Sequence, residues 1–107
     1  MISDNDIQKA LDFLRDSADD SAKFKAERIY LEEYRKSLKA LIMKQFTELP
    51  VSAQEREAYA SPRYQEHIKA MMIAIERDEK QRFLRVACEA KIEAWRSFSA
   101  NHRAMKI

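Results

Sequence analysis

The clearest absence in this sequence is glycine, which does not occur once in 107 residues, and proline occurs only twice. Tight hairpin turns and phosphate-binding loops rely on glycine, because a Cβ atom disfavours the backbone conformations they need. A strand-rich fold and a Rossmann or P-loop nucleotide site are therefore both disfavoured. With 46% hydrophobic and 36% charged residues, the composition is typical of long helices, and we predict an all-α fold.

Cysteine is almost absent as well, and long apolar runs are missing. Cys88 has no second thiol with which to form an internal disulfide. No segment approaches the ~20 apolar residues that span a membrane, and the N-terminus lacks the apolar stretch of a signal peptide. We therefore expect a cytoplasmic protein that does not enter a membrane.

Charge is present in nearly balanced amounts, with a net value of +2, but it is unevenly distributed. Residues 1–20 carry six aspartates against two basic residues, whereas residues 21–47 carry seven basic residues against three acidic ones. This asymmetry could attract an acidic partner such as nucleic acid, or let the acidic leader dock on the rest of the chain. The second interpretation is the simpler one.

Hydrophobic periodicity predicts a single domain, residues 1–107, that begins with two helices. The first is an acidic leader helix within residues 1–20, capped by Ser3 or Asp4. A polar break then leaves Ser21 as the N-cap of a helix over residues 22–47. The apolar stripe of the leader is Ile7, Ala10, Leu11 and Leu14, with Phe13 off the stripe, and that of the second helix is Phe24, Leu31, Tyr34, Leu38, Leu41 and Ile42.

Two further helices complete the prediction. The sequence Ser52-Ala53-Gln54-Glu55 has the form of a capping box and starts a short helix over residues 52–60. Ser61-Pro62 then starts a long helix over residues 62–104, because proline is favoured at the first helical position. We predict an elongated helical hairpin or bundle with one long C-terminal helix, similar to a coiled coil.

A heptad pattern is not predicted for the long helix. A row begun at Ile68 passes through Ile75 and then meets Arg82 and Glu89, so no apolar a/d seam survives. Apolar residues recur instead every eleven residues, in a row formed by Met72, Phe83 and Ala94 and in a second begun by Ile75 and Val86. Such spacing is typical of nearly straight helices.

No constellation of residues predicts catalysis. His67 and His102 lack a histidine, cysteine or glutamate at a metal-ligand spacing, so a packing or surface role is expected for both. Cys88 lies among small apolar residues and is expected to be a buried structural thiol. We therefore expect a protein that is not an enzyme, with no catalytic residue, no metal site and no cofactor.

The strongest functional signal is the width of the apolar surface on the long helix. Projected at about 100° per residue, residues 83–98 form two adjacent apolar strips that cover on the order of 240°, against the ~100° of a one-sided surface helix. One strip is Phe83, Val86, Ala87, Ala90 and Ala94, and the other is Leu84, Cys88, Ile92 and Trp95. We predict a homo-oligomer, most simply a dimer, with an interface at Leu84, Cys88, Ile92, Trp95 and Phe98. The competing interpretation is an exposed apolar patch kept for a different protein.

Basic residues give the alternative hypothesis. Arg28, Arg35 and Lys39 follow one row along the second helix, with Lys36 further round, and such a row could follow phosphates. Four more arginines of the long helix could assist, namely Arg82, Arg85, Arg96 and Arg103. A solvated flank beside the core is the favoured interpretation of the same residues.

Three phrases carry a resemblance to a known group of proteins: AERIYLEEYRKSLKALIMKQ, SAQEREAYASPRY and AKIEAWRSFSANHRAMK. From about Ala26 onwards the chain resembles small helical proteins of unassigned function encoded by tailed bacteriophages and prophages. The resemblance implies a phage or prophage accessory protein in the bacterial cytoplasm, acting in phage DNA metabolism or on a host protein. It supplies no functional residue. We expect function by protein association, with nucleic-acid binding or a structural place in the virion as alternatives.

Overall fold

The computed structural model describes residues 2–105, which form four α-helices and one short 3₁₀ helix. They are α1 (Asp4–Asp16), α2 (Ala18–Met43), the 3₁₀ helix Lys44–Phe46, α3 (Val51–Ala60) and α4 (Pro62–Met105). No strand occurs between residues 2 and 105. The all-α class and the long C-terminal helix are both confirmed.

Ser3 starts α1 by a reciprocal pair of hydrogen bonds. The Ser3 hydroxyl oxygen accepts from the backbone N–H of Asp6 at 3.1 Å, and an Asp6 carboxylate oxygen accepts from the backbone N–H of Ser3 at 2.9 Å. This is a capping box in which aspartate takes the place of the usual glutamate. The prediction of a cap at Ser3 is confirmed.

The junction between α1 and α2 differs from the prediction, because it consists of Ser17 alone. The backbone N–H of Ser21 donates to the Ser17 carbonyl at 2.9 Å, so Ser21 lies inside α2 and does not cap it. Asp19 and Asp20 occupy the first turn of α2, where the helix dipole favours negative charge. The predicted polar break is therefore wrong, since these residues start a helix instead of separating two.

The predicted capping box at Ser52 is also wrong, because α3 begins one residue earlier, at Val51. Pro50 has φ −59°, the value that proline's ring imposes and that a first helical turn accepts. The backbone N–H of Gln54 donates to the Pro50 carbonyl at 3.0 Å, and the Gln54 side-chain amide donates to the Leu49 carbonyl at 2.8 Å. Ser52 is left within the helix.

Contacts divide the chain into two compact units. Unit 1 joins the residues up to Ala22 with those from Glu79 onwards, and unit 2 is Lys23–Asp78. Helices α2 and α4 each contribute residues to both units. The single domain of residues 1–107 stays a prediction.

The core of unit 2 lies where α2, α3 and α4 meet. Ile42 is 2% exposed and Ala58 of α3 is fully buried, with Leu38 and Tyr64 beside them. Burying one large aliphatic side chain contributes about 1.5–3 kcal/mol, so this cluster holds the short helix against the long ones. Leu41, expected on this side of α2, is 47% exposed, because the buried row advances by four residues from Leu38 to Ile42 and turns away from it.

The leader helix of unit 1 buries a slightly different stripe from the predicted one. Ile7 and Ala10 are buried and Leu14 is half-buried, as expected. Leu11 is exposed, and Phe13, placed off the stripe, is half-buried. The buried row of α1 thus turns toward Phe13 and Leu14 and leaves Leu11 at its edge.

A heptad seam does exist on α4, contrary to the prediction. Its buried and half-buried side chains recur at alternating spacings of three and four residues, with Ile68 and Glu79 as additional half-buried positions. In unit 2 the seam is Tyr64, His67, Met71, Ala74 and Asp78, and in unit 1 it is Gln81, Arg85, Cys88, Ile92, Trp95 and Ser99. The prediction failed because it considered apolar residues only, whereas several seam positions carry polar side chains.

Candidate association surface on the C-terminal helix

The side of α4 that carries Phe83 is an apolar surface left exposed in unit 1. Phe83 is 61% exposed, Val86 48% and Phe98 52%. Between them lie three exposed alanines, Ala87, Ala90 and Ala94. We call these six residues the α4 stripe. At about 100° per residue they fall within roughly 120° of one another on the helix, on the side away from the buried seam.

The second apolar strip of α4 is partly covered by α1. Cys88, Ile92 and Trp95 are half-buried, whereas Leu84 at one end is 41% exposed. Beside Trp95, an apolar cavity of about 370 Å³ is lined by Ile2, Ala94, Trp95 and Phe98. The structure therefore places three residues of the predicted interface under the leader and leaves Leu84 and Phe98 accessible.

Arg85 ties the leader to the long helix. One guanidinium nitrogen of Arg85 donates to the Leu14 carbonyl and to the Ser17 hydroxyl, both at 3.0 Å. Leu14 lies in the last turn of α1, where carbonyls lack helical partners and a cation is favoured by the helix dipole. Arg85 is thus positioned as a capping side chain for α1, and no local sequence signal connects it to a helix about 70 residues away.

Gln81 makes a second polar contact between the two parts of unit 1. Its side-chain oxygen accepts from the Ser21 hydroxyl at 3.3 Å. Because Ser21 meets Gln81, Ser17 meets Arg85, and Ile2 lies beside Trp95, the leader runs antiparallel to the end of α4. The polar seam residues therefore fix which residue of the leader meets which residue of α4.

Six of the eight cations predicted to meet nucleic acid contact acids or carbonyls of the same chain. Arg28 lies 2.9 Å from Asp78 and 3.4 Å from Glu32. The other acid partners are Glu33 for Lys36, Glu55 for Lys39, Glu79 for Arg82 and Glu93 for Arg96, while Arg85 donates to Leu14 and Ser17. Arg35 and Arg103 are exposed and form no ion pair with any residue between 2 and 105.

Lys39 shows how such a cation is used within unit 2. Its ammonium lies 4.7 Å from the centre of the Tyr59 ring and 3.6 Å from a Glu55 carboxylate oxygen. Contact with Tyr59 and then the negative charge of Glu55 raise the pKa of Lys39 above its usual value. Lys39 therefore joins α2 to α3, which reduces its availability to an outside anion.

Asp6 in α1 lies close enough to α4 to interact with Lys91. Hydrogen bonds from Ser3 are the main cause that lowers the pKa of Asp6, and the positive charges of Lys91 and Lys9 add to the effect. The acidic leader thus lies within electrostatic range of a basic residue of the long helix. This arrangement supports the simpler interpretation of the uneven charge.

The histidines and the cysteine have packing surroundings. A ring nitrogen of His67 lies 2.6 Å from the Leu31 carbonyl, and its ring packs against Tyr34 at 5.7 Å. The ring of His102 stacks on Phe98 at 6.2 Å. Cys88 is free and half-buried, less enclosed than expected. Within residues 2–105 no three histidine, cysteine or acidic side chains are grouped as metal ligands.

Searches of protein-family models, curated proteins and solved structures found no match to this chain. In the described part of the chain, every helix is too short or too polar to cross a membrane.

Proposed function

We propose that this chain is a non-enzymatic accessory protein that acts by association, and that it pairs with a second copy of itself through the α4 stripe. The observation that carries the proposal is the exposure of Phe83, Val86 and Phe98 on one side of a long helix. Burial of such a side chain against a partner contributes about 1.5–3 kcal/mol. A contiguous apolar patch of this kind on a small protein marks a contact surface.

The alanines of the α4 stripe support a helical partner. Ala87, Ala90 and Ala94 are spaced by three and four residues, so their small side chains lie along one line of the helix. A second helix can approach closely along that line, and the larger Phe83 and Phe98 at its ends can close the contact. An identical helix offers the same alternation of large and small side chains and is the simplest partner.

We propose a phage or prophage setting for this association, in the cytoplasm of a bacterial host. The support is the resemblance of three phrases of the sequence to small helical phage proteins. The alternative partner for the α4 stripe is a host or phage protein. No cofactor is involved.

Association through protein contacts is preferred over nucleic-acid binding because of the cations. A phosphate backbone would have to compete with the partners of Arg28, Lys39 and Arg85, which are all half-buried. Arg35 and Lys36 are the exposed cations among the four basic residues named on α2. A gel shift with DNA at low salt that disappears in the Arg35→Glu, Lys36→Glu variant would favour the nucleic-acid alternative instead.

Light scattering at one protein concentration tests the association. We expect the native chain to have at least the mass of a dimer, and the Val86→Asp, Ala90→Asp variant to have a lower mass, because two charges would be buried in the contact. The control is Glu89→Asp, Arg96→Asp, which makes the same change in net charge on exposed positions of α4 outside the stripe. A monomeric native chain, or equal masses for variant and control, would contradict the proposal.

A further inference from the structure

Unit 2 contains a second exposed apolar feature, a groove between α2 and α4. Its volume is about 360 Å³, and its walls include Tyr30 of α2 and Ile73 of α4. Tyr30 is 64% exposed and Ile73 is 47% exposed. These two residues lie outside the predicted apolar stripes, so the sequence pattern does not predict that they face each other.

The two rims of this groove carry opposite charges. Glu27 lines the rim formed by α2, and Arg77 lines the rim formed by α4. Neither side chain forms an ion pair with another residue between 2 and 105, whereas the neighbouring Arg28 and Asp78 are paired with each other. An apolar groove with an acid on one rim and a base on the other would suit an occupant with the reverse arrangement.

The residues on the two rims lie at matching heights. Within unit 2, Arg28 contacts Asp78 at 2.9 Å and the Leu31 carbonyl contacts His67 at 2.6 Å, so α2 and α4 run antiparallel. Glu27 and Arg77 are each one residue from the Arg28–Asp78 contact on their own helices, so they differ in height by only about 3 Å, at about 1.5 Å of rise per residue. Tyr30 is level with Ile73, one turn further along.

We propose that the occupant of this groove is a second copy of the chain, related by a two-fold axis parallel to the groove. Rotation about that axis places α2 of one copy opposite α4 of the other and keeps each residue at its own height. Glu27 then faces Arg77 of the second copy, Tyr30 faces Ile73 of the second copy, and both contacts occur twice.

The charge pattern selects this arrangement over the alternative two-fold pairing. An axis perpendicular to the helices, in the plane of contact, would place α2 opposite α2 and α4 opposite α4. Glu27 would then face another acidic rim and Arg77 another basic rim, and like charges placed opposite each other disfavour a contact. The contact in unit 2 uses different residues from the α4 stripe and does not depend on it.

The experiment removes the α4 stripe contact first and then tests the groove. In the Val86→Asp, Ala90→Asp background, sedimentation velocity should still show a dimer. Adding Glu27→Arg should raise the dimer dissociation constant at least about tenfold, because two arginines would face each other on each side of the groove. Adding Arg77→Glu as well exchanges the two charges and should restore the dimer.

Each outcome of this experiment separates the two proposals. A background variant that is monomeric while the native chain is dimeric overturns the groove contact and leaves the α4 stripe in place. A background variant with the same mass as the native chain supports the groove and overturns the stripe. A dimer that Glu27→Arg leaves unchanged overturns the groove contact. If Glu27→Arg makes the chain monomeric, the added Arg77→Glu change identifies the cause: a restored dimer means that the charge match was lost, and a chain that stays monomeric means that the fold was damaged, which overturns the proposal.

Discussion

At the scale of single residues, a few polar side chains determine how the helices of each unit meet. Arg85 donates two hydrogen bonds to the end of α1, although the sequence offered it only as a contact to nucleic acid or as part of a solvated flank. Its partners, Leu14 and Ser17, lie in a part of the chain that periodicity alone cannot connect to it. A side chain whose partner is distant in sequence is the kind of feature that a local pattern does not predict.

Replacing Arg85 with methionine should destabilise the protein by about 1–3 kcal/mol, because the Leu14 carbonyl and the Ser17 hydroxyl would lose a charged donor. Urea unfolding followed by circular dichroism measures the change. The control is Arg82→Met on the same helix, which breaks an exposed ion pair with Glu79 worth only about 0.2–1 kcal/mol. Equal losses in the two variants would contradict the role given to Arg85.

Asp6 should make the stability of α1 depend on acid pH. Because hydrogen bonds from Ser3 lower the folded-state pKa of Asp6, its stabilisation is present above the ordinary pKa of an aspartate. That stabilisation is lost as the pH falls through the lowered value. We expect Asp6→Asn to be less stable at neutral pH and to show a flatter acid profile than the native chain.

Unfolding curves recorded between neutral and strongly acidic pH check this expectation. Asp4→Asn is the matched control, since it removes one negative charge from the same first turn and leaves the capping box intact. An Asp6→Asn profile that runs parallel to that of the control would show that the capping box does not respond to pH.

At the scale of the helices, local signals predicted some boundaries and failed at others for physical reasons. Pro62 starts α4 and Ser3 caps α1 as expected, because proline and serine act on their own backbone neighbours. The start of α3 was misplaced, since Pro50 and Ser52 both satisfy local rules and only one can begin the helix. The heptad seam was missed because Asp78, Gln81 and Arg85 are tolerated there only through their partners.

Variants of the Arg28–Asp78 ion pair test how much this part of the polar seam contributes to stability. We expect the pair to align α2 with α4 and to add little net stability. Asp78→Ala alone should destabilise the protein by about 1–3 kcal/mol, because it leaves a half-buried arginine with one carboxylate fewer. The double variant Arg28→Met, Asp78→Leu should recover most of that loss, since an apolar pair of similar volume often replaces an ion pair without penalty.

Chemical denaturation of the two variants and the native chain measures this difference. Lys36→Met, Glu33→Leu is the matched control on α2, where both side chains of the pair are at least 70% exposed and should contribute little. A double variant as unstable as Asp78→Ala would mean that the ion pair itself stabilises unit 2.

At the scale of the whole molecule, the described helices have apolar surface that no other described part of the chain covers. The sequence predicted two apolar strips on the long helix, but it could not show which strip the leader covers, because that depends on the contacts of Arg85 and Gln81 with α1. The structure places Cys88, Ile92 and Trp95 on the covered side and the α4 stripe on the exposed side. Self-association is the simplest use of that exposed surface.

Disulfide cross-linking tests this central claim most directly. In a Cys88→Ala background, single cysteines are placed at Ala87, Ala90 and Ala94, with Arg96→Cys as an exposed control outside the stripe. A disulfide needs Cβ atoms about 3.5–4.5 Å apart, so only paired helices can form it efficiently. We predict cross-linked dimers from these stripe positions, or from a mixture of the Ala87→Cys and Ala94→Cys chains if the helices pair in opposite directions. Cross-linking no stronger than that of the Arg96→Cys control at every stripe position and in the mixture would contradict the account.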